Sequence, residues 1–358
     1  LALPRMSAVS GLLFVSGLFL AHILFAHWLF VRARIWLNIV YPLMVLALTY
    51  TALTVYHYVA EQRERRKIKG TFRQYVAPLV IEEMLKNPGQ FKLGGEEKFL
   101  TVLFSDLQGF TGYSEHYAPH QMITFLSEYF EHMSAHVFAH RGTLKEYVGD
   151  ELLAFFGAPL EQPDHAKRAC KAALDMRRTL QVLREEWSRI GRPPLRARIG
   201  INSGMMLVGN LGSRFRFAYG VLGDHVNLGS RLEGLNRDYG TDILIGENTA
   251  HAVEKDFHLR EIDLVRVKGR KGWVRIYELL ARSEEVLPAE KREILTAYAA
   301  GLEAYRLQQW EEAVRSFEAA LRWCAGDTPS RVMLERCKVY RRSPPPADWD
   351  GVYEQRHQ

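Results

Sequence analysis

The chain has 358 residues, more than one typical core accommodates, so two or more folding units are expected. Its three cysteines, Cys170, Cys324 and Cys337, are odd in number and lack CxxC spacing, so neither a disulfide framework nor a zinc site is supported and a reducing compartment is the default. The net charge of +6 invites a nucleic-acid partner, but the basic residues concentrate in "RERRKIKGTFR", residues 63–73, directly after an apolar region, and such a run marks a cytoplasmic membrane flank rather than a nucleic-acid contact.

No Asp, Glu, Lys or Arg occurs between Arg5 and Arg32, or between Arg34 and Glu61. Each stretch exceeds the ~20 residues a helix needs to cross a bilayer. They predict a transmembrane helical hairpin within residues 1–60, with spans at 6–31 and 35–60. Core helices rarely run that long without a charge, and a cleaved signal peptide would be a single segment. His22, His27 and His57 interrupt the spans as interfacial or packed positions, with a proton path as the alternative. The basic run outweighs Arg32 and Arg34 in the short link, which places everything after Glu61 in the cytoplasm and the chain in the inner (plasma) membrane. The chain starts with Leu, which fits the C-terminal part of a longer membrane protein.

Residues 61–95 read as a juxtamembrane helical connector, with Pro78 near a helix start. An α+β pattern then fills residues 96–282. "FLTVLFSD" is a strand, and "APHQMITFLSEYFEHMSAHVFAH" has apolar residues at helical spacing. "GTLKEYVGDELLAFFGAP" reads as a β-hairpin with Asp150 at its tip and Glu146 four residues earlier. A helix through "AKRACKAALDMRRTLQVLREEW" follows. "LRARIGIN", "MMLVGN" and "RFAYGVLG" are three further strands, a helix begins near His225, and "ILIGENT" and "VRIYELL" close the sheet. Residues 288–325 read as a helical hairpin resembling one tetratricopeptide repeat; a lone repeat buries no solenoid core, so it packs on the α+β unit or on a protein partner. Residues 326–358, with "RRSPPPADWDGVY", read as a Pro-rich C-terminal arm.

Three pieces carry chemistry. Asp106, at the end of a buried strand and before a Gly-containing turn and a helix start, suits a hard cation beside a phosphate. Asp150 is a second strand-end carboxylate, and the pair suits a two-metal centre acting on phosphate. Asn227 and Arg231, in "VLGDHVNLGSRLEGLN", are four apart on a helix and share a face, where an amide and a guanidinium can hold a ribose and neutralise phosphate charge.

Together, over about half the chain, these pieces resemble the class III nucleotidyl cyclases. The membrane hairpin, "GTFRQYVAP", the tetratricopeptide-like stretch and "DWDGVY" further resemble bacterial cyclases with an extracytoplasmic CHASE-type sensor, which is missing here. The resemblance implies a ferredoxin-like βαββαβ catalytic domain and a head-to-tail homodimer with two sites shared between chains. It implies that Asp106 and Asp150, helped by the Leu107 carbonyl, bind two divalent ions, Mg²⁺ or Mn²⁺. Phe110 and Thr111 lie in the phosphate-cradling turn. Asn227 orients the ribose, Arg231 stabilises the transition state, and Lys268 in "VRVKGR" contacts the terminal phosphates of a nucleoside triphosphate. Glu146 and Gly220 take the two base-reading positions. A carboxylate suits guanine, whose N1–H and N2–H₂ are donors, so GTP is favoured over ATP. Strand alternation points Lys145 away from Glu146; a one-residue slip would exchange them. A non-catalytic cyclase-like dimerisation module and a membrane scaffold are the competing functions. The absence of GxxxxGK[ST] excludes a P-loop hydrolase by pattern.

Overall fold

The computed structural model describes residues 8–72, 94–114, 117–192, 194–212, 217–266, 272–346 and 348–354. The chain divides into two compact units, Leu1–Gln74 and Tyr75–Gln358. In the first unit, α1 (Ala8–Ala33) is followed by α2 (Val40–Phe72). The stretch Val15–Ala33 is long and apolar enough to cross a membrane; the apolar part of α2, Val40–Tyr56, is shorter. Leu20, Leu24, Phe25 and Trp28 are all exposed along α1. The second helix starts at Val40 rather than at the expected Ile35. Arg34 adopts a left-handed φ of 58°, and the Asn38 side chain accepts a hydrogen bond from the Val40 amide at 3.1 Å, as a helix cap does. The connector read around Pro78 lies outside the described residues.

The second unit is built on a mixed sheet in the order β2 (Thr143–Val148), β3 (Glu151–Phe156), β1 (Gly94–Gln108), β4 (Arg196–Gly212), β6 (Ile243–Gly246), β8 (Trp273–Arg282), β7 (Phe257–Arg266), β9 (Tyr353–Glu354), with β5 (Phe217–Leu222) paired to β4. β1 (Gly94–Gln108) is exposed at its start and buried on both faces from Leu100 to Ser105, the pattern of a central strand covered on two sides. It pairs antiparallel with β3 (Glu151–Phe156) and β4 (Arg196–Gly212). The first half of the unit runs β1, then α3 (Phe110–Ser114) and α4 (Pro119–Ala139), the hairpin of β2 (Thr143–Val148) and β3, α5 (His165–Arg189), and β4. This is the expected β-α-β-β-α-β order. α4 and α5 cover one face, packing Met133, Val137, Leu174 and Trp187 on Leu103, Leu152 and Ile199. β5 (Phe217–Leu222) leads to α6 (Asp224–Tyr239) on the opposite face. A Cβ on Gly200 would stand 2.3 Å from the backbone of Gly229 and Glu233, so the close approach of α6 to β4 requires glycine there.

β6 (Ile243–Gly246), α7 (Glu247–Val253), β7 (Phe257–Arg266) and β8 (Trp273–Arg282) complete the sheet. Four expectations change. The two strands expected over residues 195–210 are one 17-residue strand, β4, whose continuous ladder with β1 leaves no break. "ILIGENT" is strand only to Gly246; "ENT" opens α7. β7 was not expected. Beyond α8 (Ala289–Arg306) and α9 (Trp310–Trp323), the region read as an arm forms a third helix, α10 (Thr328–Arg342). Asp327 caps it by accepting from Ser330 N, and Pro329 sits in its first turn. Beyond it, β9 (Tyr353–Glu354) pairs parallel with β7. The three helices bury Tyr298, Leu302, Phe317 and Met333 with Leu228, Leu232 and Tyr239 of α6 in a second core, so the extension packs on the α+β unit itself.

Candidate active site

β1 stays buried to Ser105 and then brings Asp106 out at the end of the sheet, where its side chain is 22% exposed. The β2–β3 turn brings Asp150 to the same place. The two carboxyl groups stand within hydrogen-bonding reach, and burial together with the Asp106 charge pushes Asp150 up to about 6. Glu151 is raised too, by burial first and then by the same neighbours. Across the β1–β4 ladder from Asp106 stands Arg198. Its Nη2 donates to Asp106 at 2.6 Å and its Nε lies 2.9 Å from Glu233 Oε1 on α6. Burial pushes Glu233 up to about 7.

The sequence reading missed Arg198 and Glu233. The signal was cross-strand pairing: an Arg opposite a strand-end Asp is visible only once the two strands are registered. The donor set fits hard divalent cations, since two abutting carboxylates share a repulsion that a cation relieves. Leu107 is 2% exposed and its side chain lies in the main core, so its possible contribution is the backbone carbonyl. Among the described residues, no group of three or more His, Cys, Asp or Glu side chains is arranged to hold a metal.

Phe110 and Thr111 form the first turn of the short α3, directly after Gly109. The Phe110 ring packs on the main core. Lys268 lies outside the described residues.

Lys145, Glu146 and Gly220 come together differently from expectation. The β2–β3 register shifts between Leu144 and Glu146, so Lys145 is the bulged residue. A bulge breaks the alternation that would have pointed Lys145 away. The Lys145 ammonium instead ion-pairs with Glu146, the two side chains being 23% and 47% exposed. The Lys145 methylenes lie over Gly220: a Cβ there would stand 2.9 Å from Lys145 Cε. Glycine at 220 thus makes room for the Lys145 chain. Asn227 and Arg231 lie on α6, Asn227 exposed and Arg231 half-buried. Among the described residues neither makes a hydrogen bond or ion pair with Asp106 or Asp150, and Arg231 Nη1 is buried without a hydrogen-bond partner.

Residues 96–281 match the Adenylate and Guanylate cyclase catalytic domain, and the chain belongs to that family. It is 34% identical over 213 residues to adenylate cyclase 1 of Rhizobium meliloti (strain 1021), covering 59% of this chain and 32% of that one. It is 34% identical over 224 residues to an adenylate cyclase of Anabaena cylindrica, covering 60% and 42%. The chain thus spans less than half the length of these curated relatives. Among solved structures it is similar to the adenylyl cyclase CyaB from P. aeruginosa (TM-score 0.51, 34% identity, 55% of this chain and 100% of that one). It is likewise similar to the guanylyl cyclase Cya2 (TM-score 0.50, 37% identity, 54% and 96%). The catalytic unit is a class III nucleotidyl cyclase domain.

Proposed function

We propose that the protein is a membrane-anchored signalling enzyme that converts a purine nucleoside triphosphate, GTP in preference, to the 3′,5′-cyclic monophosphate and pyrophosphate. The observation that carries this reading is the meeting of Asp106 and Asp150 beside Arg198 at one end of the sheet. Asp106, Asp150 and the Leu107 carbonyl would hold two divalent ions, Mg²⁺ or Mn²⁺. When bound, such ions supply Lewis-acid stabilisation of charge on phosphate oxygens. The chain's own groups do the rest. Arg198 holds the Asp106 carboxylate in place. The Phe110 and Thr111 amides and Lys268 hold the phosphates. Asn227 orients the ribose, so that its 3′-oxygen lies in line with the α-phosphorus and the pyrophosphate leaves on the opposite side. Arg231 neutralises the charge that builds on the phosphoryl oxygens.

Asn227 and Arg231 do not reach the acid pair of their own chain, which supports a head-to-tail homodimer with each site shared between two copies. Phe99, Met205, Leu207 and Leu222, exposed on β1, β4 and β5, offer an apolar face for it. Arg231 Nη1, buried and without a partner, would find its anion in the shared site.

For the base, the Lys145–Glu146 pair presents a donor and an acceptor side by side. Guanine matches with three hydrogen bonds: N1–H and N2–H₂ to Glu146, and O6 from Lys145. Adenine in that pose sets its N6–H₂ donor against the ammonium and its N1 acceptor against the carboxylate; turned over, it matches with two, N1 from Lys145 and N6–H₂ to Glu146. The extra bond supports GTP. The bulge supports a second reading, ATP, because it aims an ammonium where adenine N1 needs a donor. α1 and α2 would anchor the enzyme in the inner membrane with the catalytic unit in the cytoplasm, as in bacterial cyclases with CHASE-type sensors. Incubating the purified chain in detergent with GTP or ATP and Mn²⁺ or Mg²⁺ tests the whole reading. Metal-dependent cyclic GMP, exceeding cyclic AMP, is expected; formation of neither refutes it.

A further inference from the structure

The family match ends at residue 281, yet the chain continues through α8, α9, α10 and β9. This extension closes on α6, the helix that carries Asn227 and Arg231. Leu228, Leu232, Leu235 and Tyr239, on the side of α6 turned from solvent, share a core with Tyr298, Leu302 and Met333 of the extension.

The contact is more than apolar. Tyr239, at the C-terminal end of α6, is fully buried and donates its hydroxyl to Asp263 of β7 at 2.6 Å. Arg336 of α10 donates from Nη2 to the Tyr239 hydroxyl at 3.0 Å, across 97 residues of chain, and ion-pairs through Nη1 with Asp263. Its guanidinium lies 5.3 Å from the Tyr239 ring centroid and 3.4 Å from that of Tyr353 on β9. The Arg336 and Asp263 side chains are 12% and 1% exposed. One guanidinium therefore ties α6, β7, α10 and β9 together out of water. A second tie lies beside it. Asp327, the cap of α10, accepts from Arg260 Nη1 at 2.9 Å through both oxygens, and Arg260 Nε donates to Glu278 of β8 at 2.8 Å. Gly240, the left-handed cap that ends α6, sits against Thr328 of α10.

We propose that Arg336 is a positioning residue for catalysis, and that the C-terminal extension sets the tilt of α6 and with it the placement of Asn227 and Arg231. This rests on the cyclase reading above. The lever is short. Arg231 is eight residues from Tyr239, about 12 Å along a helix axis. A tilt of about 5° at the Tyr239 end moves Arg231 by about 1 Å, and an error of about 1 Å in a reacting geometry costs up to about a hundredfold in rate. Arg336 touches none of the expected substrate groups, so its effect falls on kcat rather than on binding.

The test uses the full chain in detergent and three variants: Arg336→Met, Arg336→Lys, and the double Arg336→Met/Asp263→Asn. The double variant removes both charges, so no uncompensated buried charge is left to unfold the protein. Two readouts are taken: steady-state kinetics, and amide hydrogen exchange in residues 224–239 against that in β1 and β3. The expected result for the double variant is a melting temperature close to wild type, kcat reduced about 10–100-fold, KM changed less than about threefold, and exchange in α6 raised about tenfold with β1 and β3 unchanged. Arg336→Lys should recover part of kcat. Wild-type kcat with wild-type exchange in the double variant overturns the inference, as does a loss of activity that merely tracks the unfolded fraction. Raised α6 exchange in a variant of a wild type that makes no cyclic nucleotide supports the brace and refutes the cyclase reading.

Discussion

Changing Glu146 to Lys should strip GTP activity and spare ATP activity. In the proposed base pose the Glu146 carboxylate would accept from guanine N1–H and N2–H₂ while Lys145 donates to O6. Hydrogen bonds to a charged group are each worth about 1.5–3 kcal/mol net. Glu146 is 47% exposed, so the lower end applies and water screens part of it. Losing both bonds then costs about 2 kcal/mol, or roughly thirtyfold in kcat/KM for GTP. Adenine, in the turned-over pose that suits it, would lose only its N6–H₂ contact while Lys145 still donates to N1, so ATP should fall less than about fivefold. The cyclic GMP to cyclic AMP ratio should therefore drop about tenfold. Lys145→Ala removes a donor that both bases use, so both activities should fall together, by about fivefold, with the ratio nearly kept. The assay is initial-rate formation of each cyclic nucleotide at saturating Mn²⁺. A wild type that makes cyclic AMP as readily as cyclic GMP, or a Glu146→Lys variant with an unchanged ratio, would refute the reasoning.

Asp106→Ala and Asp150→Ala should each lower cyclisation by at least about a thousandfold with the far-ultraviolet circular dichroism intact; metal-dependent turnover in either would remove them from the site. Asp106→Ala mixed with Arg231→Ala should regain activity that neither has alone, because one interface of the heterodimer keeps both halves of a site; failure in demonstrated heterodimers would refute shared sites. Gly200→Ala places a Cβ 2.3 Å from α6 backbone atoms that cannot rotate away, so it should lower stability by about 3 kcal/mol, read from the urea midpoint. Glu233 is raised to about 7 in the fold, so the folded state binds a proton that the unfolded state has already released above about 4.5. Stability without added metal should therefore fall as pH rises from about 4.5 to 7, by up to about 3 kcal/mol, and Glu233→Gln should flatten that slope; a slope unchanged in the variant would sink the attribution.

The sequence by itself determined the class of chemistry. A buried strand ending in Asp106, a hairpin tipped by Asp150, and Asn227 and Arg231 at helical spacing are local patterns, set by backbone periodicities of two and 3.6 residues. Tertiary structure decided what local periodicity does not carry. The bulge at Lys145 arises where β2 meets both β3 and Gly220 of a distant strand, and it brought a residue expected to face away into an ion pair with Glu146. Arg198 became the partner of Asp106 through the β1–β4 register. α10 read as an arm because Pro344, Pro345 and Pro346 dominate its end, yet Asp327 and Pro329 start a helix whose Arg336 pairs with Tyr239 and Asp263 from elsewhere in the chain. A buried guanidinium is stable only where its partners already stand, and those partners are placed by the fold.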